Sequence, residues 1–223
     1  MTKYATVVAL SAGFFGTLYI LMPRILGRIL KIPAYLKHDF AGRWNIENEL
    51  VCFVHNLLSA ILSVEAALYT CSDSDKYPVT DSTWTVLRYF DSRTCSHQAS
   101  ERFTIPILFT LGFFFVDIIM MLLRLGHKKD EKEMLLHHFC SGSCLILSLF
   151  AGYGTLGGSN AFLMSEMSTI FLKFCYLFPK DQQTSPLCLT SFVLFLVSFT
   201  VLRIYLHPKM LVMAFYDTAT MWD

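Results

Sequence analysis

Hydrophobic positions along the chain gather into six long apolar windows, at residues 4–22, 50–69, 103–125, 134–156, 161–178 and 187–206. Each comes close to the ~20 residues an α-helix needs to cross ~30 Å of hydrocarbon. The pattern predicts an all-α fold: a multi-pass transmembrane helical bundle of six spans. The first window follows Met-Thr-Lys, which also suits a cleaved signal peptide. Its apolar run exceeds the usual signal core and basic residues follow it, so a retained helix is expected. After the last window, His207-Pro208-Lys209 leads into an apolar run at 210–216 that is too short to span. Either that run lies in the interface or a seventh helix is truncated there.

Composition agrees with burial in lipid. Charged residues make up 16% of the chain and hydrophobic ones 54%, where a soluble domain carries about 25% charge. The formal charge of +1 gives no long-range field to attract nucleic acid. We expect three segments: 1–42 as a first helix with a basic linker, 43–216 as the main helical domain, and 217–223 as a tail.

Charge at the segment ends sets an expected orientation. Arg24, Arg28, Lys31, Lys37 and Arg43 follow the first window, and Arg124, Lys128, Lys129 and Lys132 follow the third. Both loops therefore read as cytosolic, with the N-terminus lumenal. The intervening loop carries Asp73, Asp75, Asp81, Asp91 and Glu101 together with Cys71 and Cys95. That composition suits the lumen, where the two cysteines either pair or stay as free thiols.

Ionisable side chains inside a bilayer cost about 2.5–3.5 kcal/mol each on insertion scales, so those present need partners or water. At 100° per residue, Asn48, Cys52, His55, Ser59 and Ser63 form one polar stripe. Thr110, Asp117 and Arg124 recur every seven residues on one face of the third window. Asp117 sits among phenylalanines and must be protonated, paired or wet. His137 shares a face with Ser141, Cys144 and Ser148, while His138 points about 100° away over Gly142. Adjacent helical residues diverge, so the two histidines suit different jobs and no metal site is expected. Glu166 shares a face with Ser159, Thr169 and Lys173. Lys173 is two turns off, roughly 10 Å of rise, so a partner from another helix, such as a histidine, fits Glu166 better. Convergence of His55, Asp117, His137, His138 and Glu166 requires a bundle around a polar cavity.

Three stretches carry a resemblance: WNIENELVCFVHNLLS from Trp44, the run from Gly112 to His138 ending EMLLHH, and LMSEMSTIFL from Leu163. In that order they resemble the TLC domain, shared by translocating-chain-associating proteins, longevity-assurance ceramide synthases and the neuronal ceroid-lipofuscinosis membrane protein. The resemblance implies a multi-pass bundle in the endoplasmic reticulum or a related endomembrane. Ceramide synthases move a fatty acyl group from acyl-CoA to the amine of a sphingoid base, with a His-His pair in the cavity. Carried across, His137 and His138 take that place, Glu166 or Asp117 orients them, and His55, Ser59, Ser141 and Thr169 contact substrate. An imidazole can serve there as general base or acyl acceptor.

Two departures separate the chain from the synthases. Their His-Asp-x-x-Asp pattern is replaced by Ser165-Glu166-Met167-Ser168-Thr169, and residues 151–159 hold no basic residue. These place the chain nearer the smaller TLC-domain-containing proteins. The expected role is lipid homeostasis by binding, sensing or regulating membrane phospholipid or sphingolipid, with membrane lipids as partners and no resident cofactor. The alternative is acyl transfer through His137 and His138, with acyl-CoA as donor and a long-chain amine as acceptor. A transporter is disfavoured, because inverted repeats and paired broken helices are not seen in the sequence.

Overall fold

The computed structural model describes residues 2–29, 40–71, 101–124, 129–152, 155–176 and 185–212. They form α1 (Thr2–Arg24), α2 (Phe40–Cys71), α3 (Glu101–Arg124), α4 (Lys129–Ala151), α5 (Thr155–Met164), α6 (Glu166–Tyr176) and α7 (Pro186–Phe199), with no strand among them. Five stretches, Lys3–Ile29, Asn45–Tyr69, Glu101–Leu123, Lys132–Ala151 and Pro186–Val212, are long and apolar enough to cross a membrane.

The fifth window behaves differently: a continuous helix over 161–178 was expected, and the chain breaks at Ser165 into α5 and α6. The serines explain the break. Ser165 Oγ donates to the Phe162 carbonyl at 2.6 Å and Ser168 Oγ to the Ser165 carbonyl at 2.7 Å. The backbone N–H groups of the same two residues bond the same carbonyls, three residues back. Tight i→i+3 bonds thus replace the α-helical ladder for one turn.

Two other irregularities are local. Pro23 removes a donor from the end of α1, and the next residues, Ile25–Ile29, widen into a π turn. Gly152 ends α4 with φ +70°, the left-handed cap that glycine adopts without strain.

α3 is the central rod, touching α1, α2, α4 and α5, while α2 also packs on α5 and α6. Phe15 of α1, Val51 of α2 and Phe103, Ile107 and Phe113 of α3 are almost wholly buried where these helices meet. α1 passes close to α3 at Gly112, and Ser11 Oγ donates to the nearby Phe109 carbonyl at 2.6 Å. A Cβ on Gly112 would lie 2.6 Å from Ser11 Cβ, so only glycine permits this approach.

α7 is tied to α6 by Ser191 Oγ to the Phe171 carbonyl at 3.0 Å and Cys175 Sγ to the Cys188 carbonyl at 3.3 Å. Many of its other side chains, including Leu189, Val193 and Leu196, face outward, as a lipid-facing helix requires. Cys95 of the candidate Cys71–Cys95 disulfide, the acidic loop over 72–100 and the run beyond residue 212 lie outside the described residues.

Candidate functional site

The polar stripe of α2 and the polar face of α3 meet in the middle of the bundle. His55 is 3% exposed, with Nε2 3.4 Å from Thr110 Oγ1 and Nδ1 3.0 Å from Asn56 Oδ1. Ser59 shares the same threonine at 3.0 Å. The His55 ring stacks on Phe113 with centroids 3.9 Å apart.

One level away, Asp117 is fully buried and paired from two sides. Its Oδ2 lies 3.0 Å from His138 Nδ1, although the ring N–H is not aimed along that line, so the contact is electrostatic rather than a linear hydrogen bond. Its Oδ1 accepts from the hydroxyl of Tyr19, which is also 2.7 Å from Asn48 Oδ1. A phenol has one proton to give. That one proton is shared between two acceptors, Asp117 Oδ1 and Asn48 Oδ1, so the hydroxyl of α1 links α2 to α3.

The adjacent histidines separate as their helical spacing predicts. His138 is buried at 6% and stacks on Phe114, with centroids 4.6 Å apart. His137 is exposed. Both border a cavity of about 830 Å³ lined by α2 to α6 and by Arg203, together with His55, Ser141, Glu166 and Thr169. That volume lies within the ~300–1,000 Å³ usual for ligand sites. Asp117 and Ser59 do not reach it: Asp117 stands behind His138, and Ser59 is spent on Thr110. Ser59 thus makes a helix-to-helix bond, one level from the cavity lining.

The partner of Glu166 is not a histidine. Arg203, from the π turn Thr200–Leu206 that continues α7, places one nitrogen 3.2 Å from Glu166 Oε1 and 3.0 Å from Thr169 Oγ1. Lys173 pairs with Glu49 of α2 at 2.7 Å. Tyr19, Asn48, Glu49 and Arg203 went unrecognised in the sequence as site residues. Arg203 could have been found as the one basic residue within the sixth window. Tyr19 gave no signal, since a tyrosine in an apolar span is ordinary.

The lining is graded. Along α4 it runs from Glu133 through His137 to Leu145. Along the returning α6 and α5 it runs from Lys173 through Thr169 and Glu166 to Leu163 and Gly158. α4 and α5 join through the turn at Gly152, so they run in opposite directions and charge gathers at one end of the cavity. Among the described residues no three His, Cys, Asp or Glu side chains are grouped as metal ligands.

The model of the TLC domain matches residues 45–223. The chain belongs to the TLC-domain family. No curated protein and no solved structure matches it. Membership suggests a membrane-lipid-related function, and the five apolar helices fit an integral membrane protein. The TLC match begins after α1, so Tyr19 reaches the Asp117–His138 pair from outside the matched segment.

Proposed function

We propose that this TLC-domain protein binds a membrane lipid within its bundle and acts in lipid homeostasis. The observation that carries this reading is the graded cavity, with Arg203, Glu166, Thr169 and Lys173 toward one end and Leu145, Leu163 and Gly158 toward the other. An amphiphile with a charged head and an apolar tail matches such a gradient. The basic residues after the first and third windows support a lumenal N-terminus, with the charged end of the cavity toward the cytosol, in an endomembrane. The test is a mass-spectrometric inventory of lipid retained after gentle purification. Wild-type protein should retain one lipid class in excess of its share of the bulk membrane, and Arg203→Ala should lose that excess. Retained lipid that mirrors the bulk membrane in both proteins would end this reading.

One observation favours a second reading, N-acyl transfer: the Asp117–His138 contact at the cavity wall. With the ring proton on Nδ1, Nε2 carries a lone pair. As an amine nitrogen bonds to the acyl carbon of acyl-CoA, Nε2 would take the amine proton. The C–S bond would then break, and the thiolate would leave with that proton. On this reading His138→Ala abolishes amide formation in microsomes supplied with acyl-CoA and a long-chain amine, and normal product from that variant refutes it.

A further inference from the structure

A second hollow, of about 920 Å³, runs down the outside of the bundle between α1, α3 and α4. On α3 it extends from Glu101 to Ile118, seventeen steps along the helix and so about 25 Å at 1.5 Å per residue. That covers most of the ~30 Å hydrocarbon thickness. Its walls are apolar, including Leu111, Phe115, Ile146 and Phe150.

Two features distinguish it from an ordinary lipid-facing crevice. First, His138 borders both this groove and the interior cavity, and so does Phe114, which stacks on it. The two hollows are thus separated at this level by one stacked pair of side chains. Second, α4 lines the groove with Gly142, whose added Cβ would lie 3.6 Å from Phe114 in ordinary contact. Alanine would fit there, whereas a bulky side chain such as leucine would project into the groove.

The far end identifies the occupant. Glu101 lines the groove mouth and pairs with Lys3 at 3.0 Å, both side chains about three-quarters exposed. One cation and one anion at the membrane face offer a partner to each charge of a zwitterionic headgroup. We propose that the groove holds one acyl tail of a zwitterionic bilayer phospholipid and brings it against the outer face of His138. This inference rests on the lipid-handling role proposed above and adds the route by which a bilayer lipid meets the site.

The test uses the full chain in nanodiscs with phosphatidylcholine carrying a photoreactive group on its tail. Labelling of α3 and α4 peptides that line the groove is compared with labelling of the outward face of α7 around Leu189, Val193 and Leu196. Several-fold enrichment in the groove is expected, falling to parity in Gly142→Leu and in Ile146→Trp, two ways of filling it. Parity in the wild type would overturn the inference, since it would show ordinary annular lipid. An anionic phosphatidylglycerol probe should label the groove several-fold less, and equal labelling would overturn the headgroup assignment. The lipid inventory described above is scored on the same samples. Parity with a retained lipid class sinks the groove alone, whereas enrichment without one supports the groove and sinks the interior cavity reading.

Discussion

Asp117 and His138, from neighbouring helices, lie with Oδ2 and Nδ1 3.0 Å apart, and neither side chain is more than 7% exposed. An acid and an imidazole withdrawn together from solvent hold α3 and α4 in one register, because separating them would strand a polar group in the bundle.

Removing one partner should therefore cost more than removing both. Asp117→Ala is expected to lose about 3–5 kcal/mol, read as a lower unfolding temperature in detergent. The Asp117→Ala/His138→Ala double variant should recover part of that loss. Strict additivity across this double-mutant cycle would show that the two groups are not coupled.

Tyr19→Phe keeps the ring and removes the hydroxyl that Asp117 and Asn48 share. The expected loss is about 1–3 kcal/mol, the penalty for leaving a buried acceptor unmet. Unfolding followed by circular dichroism in the same detergent would measure it. An unchanged midpoint would mean that α1 is not engaged with the acid.

Glycines at two positions should respond in opposite directions. Gly112→Ala drives a methyl into Ser11 and should destabilise by about 1–3 kcal/mol. Gly142→Ala meets only ordinary contacts and should be neutral or gain up to about 1 kcal/mol of helix propensity. A thermal-shift comparison of the two variants decides the matter.

Arg203→Lys keeps the charge but changes the length and shape of the side chain whose single nitrogen Nη2 meets both Glu166 and Thr169. It should retain part of the wild-type stability, while Arg203→Ala leaves Glu166 without its cation and falls further. The ordering Ala below Lys below wild type in a detergent melt is the expected outcome.

Much of this was legible in the sequence, for reasons that lie in particular residues. The apolar windows are long enough that local irregularity does not hide them, and the 100° periodicity of Asn48, Cys52, His55 and Ser59 placed one face of α2 toward the other polar groups. Asp117 announced its need for a partner because a carboxylate among phenylalanines has few options. The sequence could not say which partner, since contact between α3 and α4 is a tertiary fact. The break at Ser165 was hidden for another reason: serines inside an apolar window read as neutral helix residues until their hydroxyls compete for backbone carbonyls. Arg203 was passed over because a cation near the end of a window resembles an interfacial anchor.

The close passage of α1 along Gly112 has one more implication. A fragment cut at residue 45, where the recognisable segment starts, would carry every histidine named above yet leave a trench where Phe15 and Tyr19 had been. What descent marks out as a module and what physics requires for a sealed interior are here two different lengths of chain.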